Sequence, residues 1–97
     1  MKFSKKPAVI EAITFDELVA HGIDSGCPCY DGMPWSFSYL GFPITHENDD
    51  CYLIPTPNGT AKLMRGDMLC SQEVDGKMDI WPVVKGIFEM TYEKVDE

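Results

Sequence analysis

Cys51-Tyr52-Leu53-Ile54-Pro55-Thr56-Pro57-Asn58-Gly59-Thr60-Ala61-Lys62-Leu63-Met64 is the stretch that decides the fold class. Two runs of strand length, Cys51 to Pro55 and Ala61 to Met64, flank Pro57-Asn58-Gly59. Asn-Gly readily takes the positive φ angles of a tight turn, so the stretch predicts an antiparallel hairpin. Toward the C-terminus, Arg65-Gly66-Asp67 predicts a second turn and Asp75-Gly76 a third. Residues 68–72, 78–84 and 87–95 read as extended, with Phe88, Met90 and Tyr92 alternating onto one face of the last piece. Turn signals about 8–12 residues apart mark an antiparallel sheet or a small barrel.

Upstream, Trp35-Ser36-Phe37-Ser38-Tyr39 alternates strictly, with three aromatics on one face and two serines on the other. Gly41 and Pro43 mark a bend, after which Ile44-Thr45-His46 resumes an extended path into the polar turn Glu47-Asn48-Asp49-Asp50. The Gly- and Pro-rich residues 24–34 read as a loop. Residues 6–14 predict a strand with apolar side chains on both faces, as in a central strand. Thr14 and Glu17 have the spacing of a capping box, in which each side chain satisfies an orphan N–H at a helix start. Phe15, Leu18 and Val19 then form one apolar stripe, which predicts a short helix over Phe15 to His21 with Gly22 as its stop. The expected fold is α+β: a curled antiparallel sheet or small barrel with one short helix, in a single domain over residues 1–97.

The length of 97 residues permits one modest core, because a chain of this size buries only roughly 60–65% of its unfolded surface. Sixteen acids against eight bases give a net charge of −8. Between Lys6 and Lys62 there is no Lys or Arg, but eight acids: Glu11, Asp16, Glu17, Asp24, Asp31, Glu47, Asp49 and Asp50. Such a chain does not bind a nucleic-acid backbone directly, which needs a basic face, nor an anionic membrane surface. No apolar run approaches the roughly 20 residues of a membrane span. The basic N-terminus meets Glu11 directly after Val9 and Ile10, which leaves no room for a signal-peptide apolar region, so the expectation is a soluble intracellular protein.

The four cysteines are Cys27, Cys29, Cys51 and Cys70. Zinc sites usually use two pairs of ligands two to four residues apart, and Cys27-Pro28-Cys29 leaves one residue between. His21 and His46 are not spaced to complete a site, so no metal and no cofactor is expected. Cys51 and Cys70 lie in apolar runs and read as small buried hydrophobes. In a reducing compartment no disulfide is expected.

No phosphate loop, dinucleotide turn, zinc-protease helix or serine elbow is present, so no enzymatic activity is assigned. Two features have binding chemistry. The stripe Trp35, Phe37 and Tyr39 suits either a core or a platform on which a base stacks. His46, Glu47 and Asn48 suit hydrogen bonds to a ribose or base edge, and His46 with Glu47 also suits acid–base work. Their nearness in sequence makes a shared pocket feasible.

Lys5-Lys6-Pro7-Ala8-Val9-Ile10-Glu11-Ala12 resembles the opening of a family of small tailed-phage and prophage proteins, which reads Arg/Lys-Lys-Pro-Val-Val-Ile-Glu-Ala. Ile54-Pro55-Thr56, Gly59-Thr60, Gly66-Asp67, Gly76 and Phe88-Glu89-Met90-Thr91-Tyr92-Glu93 resemble it as well. So do Gly32-Met33-Pro34-Trp35-Ser36-Phe37 and Thr45-His46-Glu47-Asn48-Asp49, which look like one branch. The family is named for a Pro-Gly-Asp-Tyr-Gly motif; here the site reads Arg65-Gly66-Asp67-Met68-Leu69, so only Gly-Asp is kept. The resemblance covers residues 1–15 and 32–95 and implies a phage-borne accessory protein acting in the host bacterial cytoplasm.

The leading expectation is a non-catalytic counter-defence protein that sequesters a nucleotide-derived immune signal. Trp35, Phe37 and Tyr39 would wall the pocket, His46, Glu47 and Asn48 would bond ribose or base, and Lys62 and Arg65 would meet phosphate. A homo-oligomer would deepen such a pocket between subunits. The alternative is an acidic inhibitor of a host defence protein that handles nucleic acid, steered to its target by charge. A signal-cleaving enzyme using His46 and Glu47, and a virion or DNA-packaging accessory, are further alternatives.

Overall fold

The computed structural model describes residues 10–92. Its elements in chain order are β1 (Glu11–Thr14), α1 (Phe15–Asp24), β2 (Cys29–Tyr30), β3 (Met33–Pro34), β4 (Ser36–Tyr39), β5 (Phe42–Asn48), β6 (Cys51–Thr56), β7 (Gly59–Met64), β8 (Met68–Val74), β9 (Lys77–Val83) and α2 (Lys85–Thr91). The architecture is α+β and mostly antiparallel, as the turn spacing requires. Strands β4-β5-β6-β7 form one sheet in sequence order, β1-β8-β9 a second, and β2-β3 a small hairpin.

The sheets do not close into a barrel. The break lies after β7. Gly66, at φ +94°, turns the chain into β8, which pairs with β1 instead of returning along β7. This makes β1 an edge strand, not the central strand expected; the part of that expectation covering residues 6–9 lies outside the described residues. Pro82 sits in β9, the other edge of that sheet, where a residue without an N–H costs no ladder bond on its open side.

Short turns set the registers. Asp31-Gly32, Leu40-Gly41 and Asp75-Gly76 all have both residues at positive φ, the requirement of a two-residue turn whose twist matches its strands. They join Tyr30 to Met33, Tyr39 to Phe42 and Val74 to Lys77. Residues 24–34 are therefore not wholly loop, and Gly41 closes a hairpin instead of marking a bend. The hairpin between β6 and β7 forms, but its positive φ falls on Gly59 alone (+112°), and Thr56 donates its hydroxyl to the Gly59 carbonyl at 2.6 Å.

Helix α1 starts with the expected capping box: Thr14 Oγ1 accepts from the Glu17 N–H, and Glu17 Oε1 from the Thr14 N–H, each at 3.1 Å. Phe15 and Leu18 are buried and Val19 packs beside them. Gly22 does not stop the helix. It lies buried within it, where a Cβ would stand 2.6 Å from Pro34 Cγ and 2.7 Å from Phe37 Cε1. The stopping glycine is Gly26, at φ +81°, whose N–H reaches the Ile23 carbonyl. One core takes side chains from both larger sheets and α1: Phe15, Leu18, Phe37, Ile44, Tyr52, Ile54, Leu63, Leu69 and Ile80. Each such side chain contributes about 1.5–3 kcal/mol by leaving water.

The expected final strand over residues 87–95 is corrected to helix within residues 85–91, so two helices are present among the described residues; residues 93–95 lie outside them. Phe88 and Tyr92 are four apart and their rings meet at 5.2 Å, a spacing that serves a helix as well as alternation serves a strand. Met90, which the strand reading put on the same face, is 89% exposed.

Candidate functional site

The Leu40-Gly41 turn fixes Ser36 opposite Thr45, and so brings Trp35 beside His46, whose N–H donates to the Trp35 carbonyl at 2.9 Å. The two rings stack at 5.0 Å and 12°. Tyr52, opposite His46 on β6, meets the imidazole edge-on at 5.5 Å. The imidazole Nε2 lies 3.0 Å from Asp49 Oδ1; the carboxylate only accepts, so Nε2 carries the proton. The His46 side chain is only 7% exposed. Tyr30 also meets Trp35, edge-on, with the ring centres 4.8 Å apart. Trp35 and Tyr30 themselves stay 46% and 59% exposed.

Tyr52 supports this group from below. It is fully buried, and its hydroxyl donates to the Pro34 carbonyl at 2.6 Å. Burial pushes its pKa up to about 12, with the thiols of Cys27 and Cys29 and the charge of Asp49 adding and Arg65 opposing. At neutral pH it is a fixed donor.

The acidic turn follows. Between His46 and Asn48 the β5–β6 register slips, and Glu47 is the bulged residue. A bulge re-aims its side chain, and Glu47 is exposed. Asn48 Oδ1 accepts from the Asp50 N–H at 2.8 Å and closes the turn. Arg65 then gathers three acids: its Nε donates to Asp50 Oδ1 at 2.9 Å, its Nη2 to the Asp49 carbonyl, and its Nη1 lies 3.7 Å from Asp16 Oδ1. The guanidinium stands 4.9 Å over the Phe15 ring, a cation–π contact.

The expected pocket therefore divides. Trp35 and His46 do come together, but as a stack that uses one face of the indole. Phe37 is core, at the centre of the Trp35–Tyr39 stripe. Tyr39 lies beyond it, meeting His21 edge-on at 5.2 Å, and His21 Nε2 donates to the Ser38 carbonyl. Lys62 is exposed and sits next to buried Leu63 in β7, so alternation directs it away from His46. Arg65 is held by carboxylates. The residues that sequence reasoning missed are Tyr30, Tyr52 and Asp16. Asp31-Gly32 was the available signal for Tyr30, since it closes the hairpin that lifts Tyr30 against Trp35.

A cleft of about 300 Å³ opens beside the start of α1, lined by Thr14, Phe15, Asp16, Arg65, Gly66, Met68 and Lys85. No group of three metal-ligating side chains occurs among the described residues, and none of their helices is long and apolar enough to cross a membrane. No protein-family model, curated protein or solved structure matches the chain.

Proposed function

We propose that this protein is a non-catalytic binding protein whose surface from Tyr30 through Trp35, Glu47, Asp49 and Asp50 to Asp16 docks a basic protein partner. The observation that carries this reading is the continuity of the surface. Exposed Trp35, with Tyr30 against it, is braced by a stacked His46, and that His46 is bonded to Asp49 in the turn whose Asp50 carboxylate and Asp49 carbonyl hold Arg65. Exposed Trp and Tyr held rigid are the side chains that anchor protein interfaces. The carboxylates around them steer a basic partner and repel phosphate. In the setting implied by the resemblance to tailed-phage proteins, the chain is a counter-defence inhibitor in the bacterial cytoplasm, and its target is the basic channel of a nucleic-acid-handling complex.

The clean variants are Trp35→Ala, which removes the anchor, and Glu47→Lys, which reverses a charge that has no ion pair among the described residues. Both should keep the native circular dichroism spectrum and lose capture of the basic partner. Rising salt should weaken wild-type capture, because exposed charges are screened over about 8–10 Å at physiological ionic strength. Capture unchanged in both variants would overturn the reading. A second reading, sequestration of a nucleotide-derived signal, is favoured by Arg65 and Lys85 lining the 300 Å³ cleft, a volume at the lower bound of about 300–1,000 Å³ for ligand pockets. Native mass spectrometry of protein recovered from cells with triggered defences would show a small molecule of unchanged mass in that case, lost on Lys85→Glu and kept in Trp35→Ala.

A further inference from the structure

We propose that Cys27-Pro28-Cys29 is a thiol–disulfide exchange site, in which Cys29 reacts with a low-molecular-weight disulfide and Cys27 resolves the product into a reversible Cys27–Cys29 bond.

The four cysteines are free thiols in two distinct settings. Cys51 and Cys70 are buried, and burial raises both thiols above their ordinary range. Cys29 is exposed and Cys27 half-buried, one residue apart. Pro28 between them has a fixed φ, and its carbonyl accepts the Trp35 N–H at 3.2 Å, which pins the loop to the chain entering β4. Cys29 is pinned in turn by its pairing with Pro34 across the β2–β3 hairpin. Its thiol folds back along the chain, with Sγ donating to the Cys27 carbonyl at 3.5 Å. The Cys27 thiol points inward and donates to the Gly22 carbonyl at 3.5 Å. Desolvation first, then the charge of the Cys27 thiol and a hydrogen bond with it, raise the Cys29 thiol. The two thiols thus sit one residue apart on a rigid spacer and interact, the outer one open to solvent and the inner one held by the Gly22 carbonyl.

Access sets the order of steps: the raised Cys29 thiol holds little thiolate at neutral pH, but it is the more exposed of the pair and the one a small disulfide reaches first. Cys29, as its thiolate, attacks one sulfur of the small disulfide. Its S–S bond breaks, and the released thiolate takes up the proton that Cys29 gave. Cys27, as its thiolate, then attacks the Cys29 sulfur of the mixed disulfide. The protein S–S bond forms and the second small thiol leaves with the proton from Cys27. Two protein thiols are oxidised by two electrons and one small disulfide is reduced to two thiols. A bond closed across a single residue is strained, and strained, exposed disulfides are the readily reduced ones. Reduced thiol in excess therefore restores the dithiol.

The test uses native full-length protein in glutathione redox buffers, quenched with acid, alkylated and analysed by peptide mass spectrometry. Oxidised glutathione should protect Cys27 and Cys29 together, with loss of two hydrogens and no retained glutathione. Reduced glutathione should reverse this. Cys27→Ser should trap glutathione on Cys29, raising the adduct on the order of tenfold or more over wild type, because the resolving sulfur is gone. Cys51 and Cys70 should alkylate only in urea. Wild type that holds a glutathione adduct as persistently as Cys27→Ser overturns the proposal. So does a chain whose Cys27 and Cys29 become linked only after urea unfolds it.

Discussion

Leu40 stands at φ +52° in the turn between β4 and β5, a left-handed position shared by Asp31 and Asp75 in the corresponding turns. An L side chain there costs roughly 1–2 kcal/mol, which Asn and Asp offset by local hydrogen bonding. Leu40 is 41% exposed, so little burial is lost on replacing it. Leu40→Asn should stabilise the protein by about 1 kcal/mol, a rise of about 4–8 °C in the calorimetric midpoint; a fall would show that its remaining apolar contacts outweigh the strain. Tyr52 gives a pH-dependent case. The fold keeps its proton up to about 12, against an ordinary 10.0. Below pH 10 both states are protonated and its contribution is fully present. As pH rises toward 12 the unfolded chain loses the proton first, and stability falls by about 2–3 kcal/mol. Tyr52→Phe should lose about 1–2 kcal/mol at neutral pH, with its bond to the Pro34 carbonyl. It should also unfold less steeply between pH 10 and 12 in urea titrations at fixed pH. The nearness of Trp35 and His46 was legible in the sequence. Their stacking was not, because it depends on a register that Leu40-Gly41 sets, and Leu is not a residue that announces such a turn.

At the scale of elements, the start of α1 was legible because a capping box and an apolar stripe are local patterns. Its end was not, because two glycines four residues apart offer the same stop signal, and only packing separates them. Gly22 faces Pro34 and Phe37, while the Cβ position at Gly26 meets nothing within 4 Å. Gly22→Ala tests that difference. By helix propensity alone it would stabilise by about 1 kcal/mol. With a Cβ at 2.6 Å from a proline ring it should instead destabilise, by about 1–3 kcal/mol net, as overpacking does. A raised denaturation midpoint would mean that α1 moves off β3 and β4 freely. Helix α2 was misread for a related reason. Over the six residues Ile87 to Tyr92 the apolar positions fit both periods, and the strand reading needed an edge to bury against. Ile87 and Met90 are instead exposed.

For the whole molecule, antiparallel pairing between neighbours in sequence was legible from turn spacing, but the return of β8 to β1 was not. That pairing joins residues 11–14 to residues 68–71, and nothing local to either segment specifies the partner. What unites the two larger sheets is the shared core, where Leu69 and Ile80 of the β1-β8-β9 sheet cluster with Phe37, Ile44, Tyr52, Ile54 and Leu63 of the other and with Phe15 and Leu18 of α1. Separating the sheets would expose most of that cluster at once, so neither should survive alone. The two tryptophans report on this independently, because Trp35 enters β4 and Trp81 lies in β9. In urea, Trp81→Phe protein followed by Trp35 emission and Trp35→Phe protein followed by Trp81 emission should each coincide with their own far-ultraviolet circular dichroism, as a single two-state transition demands. The same coupling predicts that Leu18→Ala, which costs about 2–5 kcal/mol at a fully buried site, lowers the midpoint seen by Trp81 as much as that seen by Trp35. Two separated midpoints, or a Leu18→Ala shift confined to Trp35, would mean that the β1-β8-β9 sheet folds as its own unit.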